Sequence, residues 1–153
     1  MSEKILKILG IDPGPHALGW CEYYGSGHQF GALDLRKADA RSVLEAKIRW
    51  ADVVYCESYR PREFLQGEGP KTAEVIGEIV HMCVAAGRKL EMVDHVTWRT
   101  KAANVAGLVT LRIGGVDGGI YALHLQADGA LKGDHEDDAF WIAIHGAGEE
   151  AKS

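Results

Sequence analysis

The chain contains 153 residues, of which 46% are hydrophobic and 25% charged, as in an ordinary soluble globular protein. This length predicts a single domain over residues 1–153, ending in a short flexible tail from about residue 147. The formal charge of -5 argues against broad, non-specific affinity for nucleic acid, although carboxylates that hold metal ions would themselves contribute negative charge.

The sequence lacks the signs of a membrane span, a disulfide framework and a structural zinc site. No apolar run approaches the roughly 18 residues that a bilayer span needs, and the N-terminus carries no cleavage-site pattern. The cysteines, at Cys21, Cys56 and Cys83, are odd in number and far apart. We therefore expect a cytoplasmic protein without membrane contact, in which the cysteines are buried small hydrophobic residues.

The first predicted element is a short apolar strand that ends at a carboxylate. Residues 5–11 are rich in isoleucine and leucine, as in a strand that is covered on both faces. Asp12 then precedes Pro13 and Gly14, a pair typical of a turn. Asp12 either accepts backbone N–H bonds within that turn or serves as a functional acid, and this stretch alone favours neither. Other carboxylates that converge on Asp12 would decide for the functional role.

The next elements build a sheet. Strands are predicted at residues 17–24 and 28–35, joined by a tight Gly-Ser-Gly turn, which makes three consecutive antiparallel strands. Asp39 can cap a helix whose apolar residues recur at helical spacing. A short strand at residues 52–56 follows, and it delivers Glu57 at its end as the first strand delivers its aspartate.

A loop and a long apolar helix follow the fourth strand. Residues 58–71 contain two prolines, two glycines and mixed charge, which predicts a surface loop of functional length. Thr72 caps the most strongly periodic segment, a helix that Gly87 stops. Apolar residues cover so much of this helix that it could pack on a second copy of itself, although a role in the core alone is the favoured interpretation. A strand at residues 89–93 and a helix that Thr97 opens come next.

The last third of the sequence is ambiguous until an acidic helix start. Residues 109–113 and 120–125 fit two strands, or the second segment is a helix, which we favour. An apolar helix over residues 139–145 follows a polar run of Asp134, His135, Glu136, Asp137 and Asp138. Four carboxylates in five residues are more than helix capping requires. His135 and Asp138, at i and i+3, share a helix face, as do Asp134 and Asp138, at i and i+4.

Three motifs in this order resemble a known family. They are LGIDPGPHALGW, then VVYCES with the helix EVIGEIVHMCVAAG after it, then HEDDAFWIAIHG. Together they resemble the RuvC family of Holliday-junction resolvases, within the RNase H-like superfamily. The resemblance implies an α/β fold, an RNase H-like five-stranded mixed sheet of strand order 3-2-1-4-5 flanked by helices. It also implies a homodimer built partly on the helix at residues 72–86.

The resemblance also implies a metal site and its chemistry. Four residues fall on the family's catalytic and metal-binding positions: Asp12, Glu57, His135 and Asp138. Asp134 would instead cap the helix, and Asp137 would be solvated. Two Mg²⁺ ions roughly 3.5 to 4 Å apart, or Mn²⁺ in their place, would activate water and stabilise the leaving oxygen of a phosphodiester. Asp12 would bridge the ions, Glu57 and Asp138 would each hold one, and the histidine would coordinate or move a proton.

We therefore expect an endonuclease that resolves four-way DNA junctions by nicking them symmetrically as a dimer. Branched DNA would be held by residues of the loop after Glu57 and of the later helix, namely Tyr59, Arg60, Arg62, Phe64, Lys71, Arg99 and Lys101. Tyr59 or Phe64 could stack on an unpaired base at the crossover. Arg112 and Lys132 are further candidates for phosphate contact.

Two other functions stay open. Another RNase H-like nuclease would use the same metal cage on RNA, RNA–DNA hybrid or flap DNA. A non-catalytic junction-binding or scaffold protein would keep the fold alone, but four intact acidic or histidine positions argue against it. Cleavage of a four-way junction, compared with cleavage of a hybrid and of linear duplex, separates these functions.

Overall fold

The computed structural model describes residues 5–14, 16–25, 27–58, 69–94 and 135–151. Within these ranges the elements are, in chain order, β1 (Ile8–Asp12), β2 (Ala17–Tyr23), β3 (His28–Asp34), α1 (Ala40–Trp50), β4 (Val53–Ser58), α2 (Gly69–Ala86), β5 (Lys89–Asp94) and α3 (His135–Ala151). The strands form one sheet of order β3-β2-β1-β4-β5. β1 and β2, and β2 and β3, pair antiparallel, whereas β1 and β4, and β4 and β5, pair parallel. The predicted five-stranded mixed sheet and its strand order are confirmed.

β1 lies at the centre of the sheet and is buried along its whole length. Successive side chains of a strand point to opposite faces of its sheet. Ile8 belongs to an apolar cluster beneath α3, whereas Leu9 and Ile11 belong to a second cluster beneath α1 and α2. Because helices cover both faces, the strand needs apolar residues at nearly every position, which explains its continuous hydrophobic run.

α1 and α2 pack side by side on the second cluster. α1 contributes Leu44 and Ile48, which are one helical turn apart, and α2 contributes Val75 and Ile79 at the same spacing. Arg41 of α1 bridges the two helices through a two-pronged ion pair with a glutamate of α2. Together these contacts make the two helices one layer over β1 and β4.

Two predicted glycine positions are confirmed by the backbone. Gly25 has a φ of 75° in the turn between β2 and β3, where the Tyr24 N–H donates to the Gly27 carbonyl at 3.1 Å. Gly87 has a φ of 66° and ends α2, while the Arg88 N–H donates to the Cys83 carbonyl at 2.9 Å. Glycine tolerates such positive φ values because it has no Cβ.

α2 begins earlier than predicted. It starts at Gly69, so Thr72 lies buried within its first turn instead of capping it, and Lys71 belongs to the helix rather than to a loop. Pro70 permits this start, because the N–H that proline lacks has no partner in a first helical turn.

α3 ends later than predicted. The helix continues to Ala151, so the prediction of a flexible tail from about residue 147 is wrong. Ala147 packs against the cluster beneath α3, and Glu150 accepts hydrogen bonds from Tyr55 and Lys89. These tertiary contacts hold the last turns of the helix against the sheet.

Two other boundaries differ in detail. Asp39 occupies the N-cap position of α1 as predicted, but its side chain makes no capping hydrogen bond. β4 continues two residues beyond its predicted end, because Ser58 still pairs with Asp94 of β5. The Ser58 hydroxyl also donates to the Val93 carbonyl at 3.2 Å.

Several predicted features lie outside the described residues. They are the greater part of the loop after β4, the helix that Thr97 opens, and the segments at residues 109–113 and 120–125. None of the helices that the structure describes is both long enough and apolar enough to cross a bilayer.

Candidate active site

Asp12 and Glu57 are neighbours on one face of the sheet. The parallel register pairs Ile11 with Cys56, so the next step along both strands brings the two carboxylates side by side. Ile8 and Val53 belong to the cluster beneath α3, and Asp12 and Glu57 each follow four positions later on the same face. Both acidic residues are only 3% exposed. Two acids are therefore buried together where β1 and β4 end.

The Cys56 thiol responds to both carboxylates from the other face of the sheet. Burial, and after it the charges of Asp12 and Glu57, raise the pKa of this thiol well above its usual range. Cys56 thus stays protonated and serves the apolar cluster beneath α1 and α2.

α3 approaches β1 unusually closely at Gly10. A Cβ atom at this position would stand 2.6 Å from the Ala143 nitrogen and 2.9 Å from the Ala143 Cβ, and it would meet the Ala139 carbonyl oxygen. Such distances are well inside van der Waals contact, so only glycine allows the helix to pack this closely on β1. Gly10 and Asp12 share one face of β1, two residues apart.

The close contact determines which end of α3 lies near the two acids. Ala139 lies at Gly10 near the carboxyl end of β1, whereas Glu150 binds Lys89, the first residue of β5. The helix therefore runs antiparallel to β1 and begins at the edge where β1 and β4 end. Asp138, which is half-buried, directly precedes Ala139. The first turn of α3 thus brings a third carboxylate to the edge that holds Asp12 and Glu57.

The buried pair of Asp12 and Glu57 suits a hard divalent cation. Neighbouring buried carboxylates repel each other strongly in a low dielectric, and a cation between them relieves that repulsion. Carboxylate oxygens are also the ligands that Mg²⁺ prefers. Within the described ranges, no group of three or more His, Cys, Asp or Glu residues is arranged to hold a metal ion. Asp12, Glu57 and Asp138 are therefore not grouped as one metal site, and the side chain of His135 is not among those described, so the four-residue metal site stays a prediction.

Most of the predicted DNA-binding residues also lie outside the described part of the chain: Tyr59, Arg60, Arg62, Phe64, Arg99 and Lys101. Lys71 is described, and it is exposed in the first turn of α2, which starts at the same edge of the sheet. Asp134 is outside the described residues, as is the side chain of Asp137.

Two cationic residues at this edge of the sheet were not predicted from the sequence. Arg36 and Lys37 are exposed in the turn after β3. The Leu35 N–H of that turn donates to the His16 carbonyl at 2.8 Å, which ties it to the segment that leaves the Asp12 strand. Asp34 holds the Arg36 guanidinium through hydrogen bonds of 2.9 and 3.1 Å. Neither cation belongs to a motif, so only the fold reveals their position.

Solved structures show which fold this is. No model of a protein family matches the sequence, and comparison with curated proteins gives no match either. Among solved structures, Thermus thermophilus RuvC in complex with a Holliday-junction substrate superposes with a TM-score of 0.63 at 15% identity, covering 97% of this chain and 96% of that one. The chain has the RuvC fold. A second structure of Thermus thermophilus RuvC gives a TM-score of 0.60 at 16% identity, with 96% of each chain covered.

A viral protein shares this RuvC-like fold. Fowlpox virus resolvase in complex with Holliday-junction DNA gives a TM-score of 0.54 at 16% identity, covering 96% of this chain and 99% of that chain. The likeness therefore extends over nearly the whole length of each chain. At such low identity it establishes the RNase H-like architecture that the three motifs predicted.

Proposed function

We propose that the protein is a structure-selective endonuclease that resolves four-way DNA junctions. The observation that carries this proposal is the buried pair of Asp12 and Glu57, with the first turn of α3 beside it, in a RuvC-like fold. Two of the similar structures are complexes with Holliday-junction DNA, which supports branched DNA as the substrate class.

Asp12, Glu57 and Asp138 would hold divalent cations at this edge, with Asp12 as the shared ligand. When bound, the two ions supply an activated water and stabilise charge on the phosphate and the leaving oxygen. His135 would contribute an imidazole that takes up or releases a proton near neutral pH. The buried surroundings of the two strand-end acids strengthen their attraction for a cation, because water screens it little.

The substrate would be held by cations around the same edge. Lys71 lies there in the first turn of α2, and Arg36 and Lys37 extend the positive surface beyond β3. Contacts of this kind position a nucleic acid without reading its sequence. Arg60 and Arg62, which precede α2 in the chain, remain proposed phosphate contacts, and Tyr59 or Phe64 would stack on an unpaired base at the crossover.

We further propose that the protein acts as a homodimer through α2. Beside the side of α2 that packs on the sheet, and away from α1, lies an apolar stripe, here called the outer face of α2, formed by Ala73, Ile76, Gly77, Val80 and Val84. Val84 is 75% exposed and Val80 is 38% exposed. A monomer gains nothing from such a surface, whereas a second copy would cover it. Two active sites in one dimer suit paired nicks on opposite strands.

A cleavage assay tests the proposal directly. The purified protein should cut a synthetic four-way junction symmetrically in Mg²⁺ or Mn²⁺ and cut linear duplex far more slowly. Cleavage of an RNA–DNA hybrid but not of a junction would favour another RNase H-like nuclease. Junction binding without any cleavage would favour a scaffold protein.

The Asp12→Asn variant tests the site itself. Removing one negative ligand from a shared position should abolish cleavage, while junction binding measured by gel shift in Ca²⁺ stays near that of the unaltered protein. Asp94→Asn, at the end of the edge strand β5, is the control and should cut normally. Full activity of Asp12→Asn would refute the assignment of this carboxylate.

A further inference from the structure

The sheet and α3 are joined by a second close contact, one helical turn further along α3, at the β4 residue that pairs with Gly10. At Gly146 a Cβ atom would stand 2.5 Å from Cδ2 and 2.8 Å from Cε2 of the Tyr55 ring. His145 meets the same ring edge-on, with 6.0 Å between the ring centroids and an angle of 86° between the planes. The helix therefore rests directly on the Tyr55 ring, as it rests on β1 at Gly10.

A polar contact closes this second junction. The Tyr55 hydroxyl donates to Glu150 Oε1 at 2.7 Å, and Lys89 Nζ donates to the same oxygen at 3.1 Å. The Glu150 side chain is 13% exposed, so solvent screens these contacts only partly. We call Tyr55, Glu150 and Lys89 the clamp.

The clamp shares its two main elements with the candidate active site. Tyr55 precedes Glu57 by two residues on the same face of β4. Glu150 follows Asp138 by twelve residues on α3, which is about 18 Å along the helix axis. A helix moves along its axis as one body, so a bond near its end restrains the position of its start. Gly10 sets how closely α3 packs on β1, but a glycine contact alone does not stop the helix from sliding along its axis.

We propose that Tyr55 is a positioning residue. Its hydrogen bond to Glu150 fixes the position of α3 along the helix axis, and so the position of Asp138 relative to Asp12 and Glu57. This inference rests on the proposed function, because the position of Asp138 matters only if Asp138 is a metal ligand of the nuclease. Tyr55 touches neither substrate nor metal and acts through α3.

The test compares Tyr55→Phe with a matched control. Tyr55→Phe keeps the ring that supports Gly146 and removes only the hydroxyl. The control is Arg41→Met, which removes the Arg41 bonds of 2.9 and 3.0 Å to Glu78 that join α1 to α2 on the opposite face. Two measurements are made on the full chain: amide hydrogen exchange at residues 138–143, and Mn²⁺ affinity by titration calorimetry.

In Tyr55→Phe, exchange at residues 138–143 should become about tenfold faster, as expected for the loss of one hydrogen bond to a charged group. Mn²⁺ affinity should fall by about tenfold, the lower end of the range for residues that act through a metal ligand. Arg41→Met should leave both values unchanged even if its melting temperature falls. Lys89→Met, a milder change at an exposed residue, should shift both values in the same direction by a smaller factor.

The inference is overturned if Tyr55→Phe lowers the melting temperature but leaves the exchange and the Mn²⁺ affinity at their original values. If Tyr55→Phe does not fold, Lys89→Met decides by the same two measurements. Failure of the proposed function looks different, because the unaltered protein would then bind no Mn²⁺ or cut no junction. The exchange comparison needs neither metal nor cleavage, so it judges the clamp separately.

Discussion

At the scale of single residues, the placement of Asp12 and Glu57 at strand ends could be predicted from the sequence, whereas the close contact at Gly10 could not. Each acid ends a short apolar run, and alternation along two parallel strands then puts both on one face. A glycine within a strand signals a close approach in general. What approaches Gly10 is α3, more than 120 residues further along, and no local pattern records that contact.

Gly10→Ala should destabilise the protein. The new methyl group would displace the backbone of α3, and overpacking of this kind costs about 1–3 kcal/mol in the free energy of unfolding. Gly77→Ala is the matched control, since a Cβ there meets nothing within 4 Å. That change should stabilise the protein by about 1 kcal/mol, because alanine favours a helix. Urea unfolding measures both, and equal effects would contradict the close contact.

The buried thiols should make the stability fall at high pH. Burial raises the pKa of the Cys83 thiol from 9.0 to about 11. Between those values the unfolded chain releases a proton that the folded protein keeps, so the free energy of unfolding decreases as pH rises through this window. Urea unfolding from pH 8 upward should show a shallower decline for Cys83→Ala than for the unaltered protein. Equal slopes would show that Cys83 titrates normally.

At the scale of elements, the errors of prediction arose where tertiary contacts overrule local signals. Gly69 and Pro70 suggested a loop, yet both fit the first turn of a helix that packs on the sheet. A flexible tail was predicted from about residue 147, yet the clamp and Ala147 hold that end. The strongly periodic part of α2 was predicted correctly because its apolar spacing is itself the cause of its packing.

Val84→Glu should dissociate the proposed dimer. A carboxylate at the most exposed position of the outer face of α2 would be buried without a partner in a dimer interface, which should raise the dimer dissociation constant by at least about tenfold. Sedimentation equilibrium measures this constant. Ala85→Glu, on the neighbouring exposed side of the same helix, is the control and should dimerise normally. A dimer unaffected by Val84→Glu would place the interface elsewhere.

At the scale of the whole molecule, the sequence motifs predicted the architecture through their resemblance to a family, not through periodicity alone. Hydrophobic patterns indicate strands and helices but leave the order of strands in a sheet open. The order β3-β2-β1-β4-β5 places two parallel strand ends side by side at the centre. Site residues can be assigned from the sequence only where such motifs extend. The proposed DNA contacts within residues 95–134 therefore stay predictions.

Metal binding should stabilise the entire fold. A cation that binds only the folded protein adds about 2.7 kcal/mol at a hundredfold excess over its dissociation constant. The melting temperature should therefore rise with Mn²⁺ for the unaltered protein and hardly change for Asp12→Asn. Without metal, Asp12→Asn should melt at least as high as the unaltered protein, because one of two buried like charges is gone. An equal response of both proteins to Mn²⁺ would indicate binding elsewhere.

The placement of α3 also bears on the order in which the protein is made. Asp12 and Glu57 are synthesised early, whereas Asp138 and the clamp residue Glu150 come from the last described helix. A growing chain thus carries two of the three acids while it still lacks the helix that completes the site. On the proposed function, a growing chain that still lacks α3 cannot cut nucleic acid, and the activity appears only when α3 docks on the sheet.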